Sequence, residues 1–371
     1  MALWLCLLLA VPPLWAQGGQ EPSTLGAPII FIPDTAARSV ASLANYANTH
    51  CPTEPSKIHT LYNWVATHIR YDTDSMYHYN WSKPTAFIAQ TTLRRRKGVC
   101  ENFAALFTEL LTQCGIRAWA VTGYTKTGGR PNYSGHSWCA VQLNNNWWLC
   151  DPTWEVSEKE ADQWLMLAPD GFLDTHIPFD PLWQLRYYPI SHQAFKQGKI
   201  GNADKLPYFN YPDSLQAFFA QDSLQQLETL ARRMYQAGLA NSRLQLWHSY
   251  NEMKIAIIYG DKDMELYNTA VDLLNQATGI FNGFVQYRNQ QFTPLRPDAD
   301  MATLLQPIAG LLTNAEQHLN QMGRVVENFQ YDTGAIKERI KALTTKVQVQ
   351  QAFVKQYLAT ALGERKKLFY K

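Results

Sequence analysis

Net charge is almost missing from this chain: 33 lysines and arginines stand against 31 aspartates and glutamates, leaving +2. So even a balance supplies no strong field, and binding of nucleic acid is not expected. Cysteine is sparse, at six residues, and no Cys-x-x-Cys or histidine-rich spacing offers a zinc site. Past the first residues no apolar run is long enough for a membrane helix. No clean internal repeat is present. Neither a metal nor a cofactor is expected.

What is present is an apolar fraction of 46%, ample for a buried core, and 371 residues, enough for two domains or one with a large extension. Residues 1–16, MALWLCLLLAVPPLWA, are apolar but too short to span a bilayer, and they end near a small residue. They read as a signal peptide cut close to Ala16, although no positive residue precedes the run and Leu14 is not the ideal small residue before a cut. The expectation is a secreted or periplasmic protein with no integral membrane segment after cleavage. Five cysteines then remain, Cys51, Cys100, Cys114, Cys139 and Cys150, and the odd number leaves at least one thiol unpaired.

Residues 17–50 read as a linker that becomes a short helix. From Ser56, the spacing of Ile58, Leu61, Val65 and Ile69 predicts an amphipathic helix. A stronger one carries Phe103, Leu106, Phe107, Leu110, Leu111 and Cys114 on one stripe and stops at Gly115. Gly98-Val99-Cys100 sits directly before it, so Cys100 opens the helix. A strand follows over 116–124, a loop over 126–135, then strands over 136–143 and 147–153 joined by asparagines 144–146, which tolerate the positive φ of a tight turn. The order indicates an α+β domain. Past about Asp213, proline and tryptophan become rare and helical periodicity dominates, broken at Pro294 and Pro297. The division expected is a linker over 17–50, a catalytic domain over 51–212 and a helical domain over 213–371.

A thiol at a helix start faces unpaired N–H groups and the positive end of the dipole, and both favour the thiolate; the plain alternative for Cys100 is a small buried hydrophobe. With Asn144-Asn145 as a two-residue turn, Leu143 lies opposite Asn146 and His136 opposite Thr153. His136 and Asp151 then share one face, and the carboxylate can orient the ring while its other nitrogen meets the thiol. A slip of one residue would separate them. The same register sets Cys139 opposite Cys150 on the other face, as a cross-strand disulfide or as two small packed groups.

The text KGVCENFAALFTELLTQCGIRAWAVTGY (97–124) with GHSWCAVQLNNNWWLCDPTW (135–154) resembles the core of transglutaminase-like proteins. In that core Gly-Val-Cys opens a helix, a histidine begins a strand and Asp-Pro-Thr-Trp ends the next. The resemblance is greatest to the kyphoscoliosis-peptidase-like branch and to secreted bacterial transglutaminase-domain proteins, and it covers roughly 51–212, including HIPFDPLWQL at 176–185. It implies a papain-like fold, a bacterial source, Cys100 as nucleophile, His136 as general base and acid, and Asp151 as the orienting carboxylate. Ser137-Trp138 departs from the usual Ala-Trp. The backbone N–H of Cys100 is a natural oxyanion donor; Trp81 or Gln90 is a candidate for the second, each with a structural role as the alternative.

Other features carry less. His59 and His68 read as surface or satisfied core histidines. The run Arg94-Arg95-Arg96-Lys97 is a solvated turn or a feature favouring acidic substrate groups. Of Trp147 and Trp148, one is expected in the core and the other along the cleft, while Trp183-Gln184 caps the core. Asn80-Trp81-Ser82 and Asn132-Tyr133-Ser134 match glycosylation acceptors. The resemblance implies a secreted cysteine-dependent acyl-transfer enzyme on a protein or peptide substrate, as peptidase, amidase or transglutaminase. The competing reading is a catalytically silent scaffold, with the helical half holding a protein partner.

Overall fold

The computed structural model describes residues 26–75, 83–156, 161–198, 207–323 and 332–370. The chain divides into two compact units, the first ending at Tyr250 and the second running from Asn251 to Lys371. The first is an α+β domain, and among its described residues the second holds helices and no strand.

The first unit opens with α1 (Val40–His50), whose Ser39 and Ser42 side chains cap each other's backbone, and α2 (Glu54–His68), capped by Thr53. The short helix expected at the end of the 17–50 segment is α1, and its Val40, Leu43, Ala44 and Ala47 lie in the core. Then come the two-residue β1 (Arg70–Tyr71), α3 (Thr85–Arg95), β2 (Lys97–Gly98), parallel to β1, and α4 (Cys100–Gln113). Of the stripe read from the sequence on α4, Phe103, Leu106, Phe107, Leu110 and Leu111 are each fully enclosed, while Cys114, the C-cap residue, is half-buried.

The strands β3 (Ala118–Thr127), β4 (Arg130–Leu143) and β5 (Asn146–Cys150), the short helices α5 (Pro152–Glu155) and α6 (Pro169–Phe172), and β6 (His176–Pro178) complete the frame. The antiparallel sheet runs β5-β4-β3-β6. Asn144 and Asn145 both adopt positive φ, and Leu143 pairs with Asn146 and Cys139 with Cys150, the register the turn requires. Two boundaries differ from expectation. Residues 130–135 belong to β4, because Gly128 and Gly129 close the β3–β4 turn at positive φ. β5 stops at Cys150, because Pro152 cannot donate to the ladder and starts a helix instead, so His136 has no strand partner at Thr153.

On one face of the sheet Cys139, Val141, Leu143 and Cys150 pack with α1, α2 and α4. On the other, Val121, Trp138, Ala140, Trp147 and Leu149 pack with Phe172, Leu182 and Trp183. The second layer draws on α8 (Tyr211–Ala220), which follows α7 (His192–Gln197) and supplies Leu215 and Phe218. Met234 of α9 (Ser223–Ala237) and Leu244 bury against Ile177 and Phe195. The first unit therefore reaches well past 212. The change in composition there marks a change of element type rather than an end of packing.

The division falls inside α10 (Ser242–Asn289). In the second unit the remainder of α10 packs with α11 (Asp298–Thr303), α12 (Gln306–Gln321) and α13 (Thr333–Ala359) around Leu274, Ala277, Ile308, Leu312, Ile340 and Leu343. Among the described residues no helix is long and apolar enough to cross a membrane.

Candidate active site

Cys100 is the first residue of α4, with Val99 as N-cap. Asn102 fixes this start: its Oδ1 accepts the Val99 N–H at 3.0 Å and its Nδ2 donates to Thr92 Oγ1 at 3.0 Å. A Cβ on Gly98 would fall 2.3 Å from Asn102 Cβ, so glycine is required there. The tight entry read from Gly98 thus has a specific cause.

His136 stands on β4 opposite Gly123, just beyond an interruption of the β3–β4 ladder. Between the pairs Gly123–His136 and Thr125–Asn132, β4 spends two residues more than β3, and Gly135 in that bulge has φ +87. Such bulges re-aim side chains beside functional sites. Asp151 follows the last residue of β5 and caps α5: Oδ1 accepts the N–H groups of Thr153 at 2.9 Å and Trp154 at 3.2 Å. Its Oδ2 accepts Nε2–H of His136 at 2.6 Å. Cys100 lies near enough to the same imidazole to contribute to its raised pKa. The structure thus brings together the three residues singled out in the sequence.

Burial on its own would lower the pKa of His136. The charge and hydrogen bond of Asp151, and then those of Cys100, outweigh it and hold the ring at about 10. Burial would likewise lift Asp151, but the His136 charge and the hydrogen bonds from both imidazoles keep its carboxyl far below the usual range.

The second imidazole is His176, which the sequence reading did not single out. It is fully buried on β6, and its Nε2 lies 3.1 Å from Asp151 Oδ2. Here burial prevails over the neighbouring carboxylate, and the pKa falls to about 4. The ring is neutral, giving its Nε2 proton to Asp151 and accepting from Thr175 Oγ1 at Nδ1, 2.8 Å away. The available signal was HIPFDPLWQL, but only pairing of Thr125 with His176 across β3 and β6 carries the residue to the site.

His136, Asp151 and His176 also form a set of metal-ligating types, their ligand atoms lying within 4.8 Å of one another. The hydrogen bonds already use this set: both Nε2 atoms converge on one oxygen, and the other oxygen holds two backbone N–H groups. A cation there would have to displace that network, so the donors fit a hydrogen-bond hub better than a ligand shell.

The remaining candidates lie elsewhere. Gln90 Oε1 faces the Val40 N–H at the start of α1, and Trp81 lies outside the described residues, as do Asn80 and Ser82 and the expected signal peptide. Cys139 and Cys150 are directly opposite but are free thiols, Cys139 directed at Ala104 O and Cys150 accepting the Met166 N–H. Of the basic run, Arg95 and Lys97 bind the buried Asp72, while Arg96 stacks on Trp64. Those three of its four residues are structural. His59 is a satisfied core histidine between Ala27 O and Asp162, and His68 bonds Trp64 O. Trp147 is buried in one core and Trp148 packs, partly buried, against the opposite one. Gln184 bonds Ile190 in both directions beside the buried Trp183. In the second acceptor motif Asn132 Oδ1 is exposed and holds Ser134 locally.

Comparison with known proteins finds similarity over part of this chain. A family model described as the transglutaminase-like superfamily matches residues 41–152. Human kyphoscoliosis peptidase is 28% identical over 160 residues, covering 39% of this chain and 24% of that protein. Its mouse counterpart is 27% identical over 156 residues, covering 38% and 23%. The match therefore spans about a quarter of those relatives. Among solved structures, a candidate cysteine protease from Cytophaga hutchinsonii aligns at 24% identity and TM-score 0.26, over 31% of this chain and 36% of that one. A structure described as a TGase aligns at 17% identity and TM-score 0.26, over 38% and 37%. The similarity to the transglutaminase-like superfamily thus covers residues 41–152, the segment that holds Cys100, His136 and Asp151.

Proposed function

We propose that this protein is a cysteine-dependent acyl-transfer enzyme acting on a protein or peptide carbonyl, with Cys100 as nucleophile, His136 as general base and acid, and Asp151 as the group that orients and charges the imidazole. The observation that carries this reading is the 2.6 Å hydrogen bond from His136 to Asp151 Oδ2, with Cys100 near enough to the same imidazole to raise its pKa. In the proposed reaction the Cys100 thiolate, paired with the protonated imidazole of His136, attacks the carbonyl carbon, and a tetrahedral intermediate forms. The Cys100 N–H, in a helical first turn whose amides lack intrahelical acceptors, supports the oxyanion. Collapse expels the amine, which leaves with the proton from His136, and a thioester remains on Cys100. Water attacking the thioester completes hydrolysis; a lysine amine completes a cross-link.

One observation favours the competing scaffold reading: Cys100 is only 5% exposed, so a substrate carbonyl reaches the sulfur by a narrow approach. Alkylation decides between the two. The protein and its His136→Ala variant are treated with iodoacetamide from mild acid to mild base, and each cysteine is followed by mass spectrometry. The expected result is rapid labelling of Cys100 in mild acid that the variant loses, with Cys139 and Cys150 inert because burial raises both thiol pKa values, that of Cys150 to about 12. Labelling of Cys100 that is slow and unchanged in the variant would defeat the enzyme reading. Export is part of the proposal, and sequencing the N-terminus of protein recovered from outside producing cells tests it.

A further inference from the structure

We infer that His176 is a positioning residue of this site: its Nε2–H holds Asp151 Oδ2 in the one orientation that serves His136. The inference rests on the reading of Cys100 and His136 as the reacting pair, and it assigns His176 no contact with substrate.

Three observations carry it. The first is the acceptor count at Asp151. A carboxylate offers about four lone-pair sites, and here four donors are present: Thr153 and Trp154 N–H on Oδ1, His136 and His176 on Oδ2. Rotation about the last side-chain bond of an aspartate is soft; the two N–H groups hold Oδ1, and His176 adds a second donor beside His136 on Oδ2. His176 supplies a donor that does not move.

The second is the rigidity of that donor. The His176 ring stacks on Phe172 at 4.1 Å between centroids, and Trp154, Trp138 and Trp164 stand at 4.4, 5.1 and 5.4 Å. Thr175 Oγ1 fixes the tautomer at the opposite nitrogen. The third is chemical. A phenyl ring would suit this aromatic cage without the cost of burying a polar imidazole. A histidine here has one polar task on each nitrogen, and the Nε2 task is Asp151. Of the other ionisable groups nearby, Tyr62 bonds Glu155 and the backbone oxygen of Asp151, so neither competes for Oδ2.

The test compares His176→Phe, which keeps the ring and loses the donor, with His176→Gln, which keeps an N–H donor and fits the cage poorly. The rate of Cys100 alkylation is followed from mild acid to mild base in the full-length protein, alongside wild type and His136→Ala. A positioning role predicts that Phe loses about tenfold of the mild-acid rate, with the acid limb moved upward, while Gln stays within about threefold of wild type. A packing role predicts the reverse order, and labelling of Phe as fast as or faster than Gln overturns the inference. Thr175→Val leaves the cage intact and frees the tautomer, so a smaller loss in the same direction is expected; an unchanged profile there also counts against it. Wild-type labelling indifferent to His136→Ala would instead defeat the underlying enzyme reading, before the variants at 176 are compared.

Discussion

Asp151 divides its work between its two oxygens, one capping α5 and one holding two imidazoles. Asp151→Asn separates the roles, since its carboxamide oxygen can still cap but no longer carries the charge that holds His136 at about 10. Two outcomes are expected. In an NMR titration the His136 imidazole moves down toward or below the ordinary histidine range, and folding stability falls by about 3 kcal/mol, as when one partner of a buried ion pair is removed. An unmoved His136 titration would show that Asp151 does not set its protonation. Gly123 is the second residue on which the site depends. A Cβ there would meet Ile177 O at 2.1 Å and the Trp138 indole at 2.5 Å. Backbone cannot give as a side-chain tip can, so Gly123→Ala is expected to cost more than about 3 kcal/mol in urea unfolding and to part β3 from β6, which carries His176.

Among the elements, α4 is set by its first turn. Asn102→Ala removes both the acceptor for Val99 and the tie to Thr92, and a loss of about 1–2 kcal/mol is expected. Asn102→Asp retains the acceptor and should recover about half of it in the same unfolding experiment. The elements also show how far the sequence could be read. The α4 stripe, the Asn144-Asn145 turn and the pairing of Cys139 with Cys150 follow from periodicity and turn chemistry within a few dozen residues, and all three were legible. Two things were not. The bulge before His136 depends on how β4 is matched to β3, and polar, glycine-rich text such as RPNYSG carries no period that distinguishes bulged strand from loop. His176 reaches Asp151 because β6 pairs with β3 and not with its chain neighbour β5. Such a contact is decided by sheet order, which local patterns do not encode. α8 and α9 were assigned beyond the domain on the same ground: their amphipathic pattern is visible, but the surface that covers their apolar faces is not.

At the scale of the molecule, the ionisable groups buried in the first unit set its dependence on pH. His176 and His192, the latter bonded to Tyr124, are both held near 4 by burial. Unfolded, each takes a proton near its ordinary value of about 6.5; folded, each resists until about 4. Their neutral burial therefore costs nothing above about 6.5, and stability is lost as pH falls from there toward 4, by up to about 2.7 kcal/mol per pH unit for the two protons. His136 acts in the opposite sense. Held at about 10, it contributes fully below about 6.5 and loses its contribution as pH rises toward 10, and the raised thiols of Cys114 and Cys150, at about 11 and 12, steepen the alkaline side. Stability of this unit should peak near pH 6.5. All 12 tryptophans fall at or before Trp247, so indole fluorescence reports the first unit alone, even in the full chain. Urea titrations followed at that signal are expected to trace the peak, and His192→Gln, remote from Asp151 in the bonding network, should remove about half of the acid slope and leave the alkaline limb in place. An acid slope that His192→Gln does not change would mean that carboxylates, and not the buried imidazoles, govern acid unfolding here.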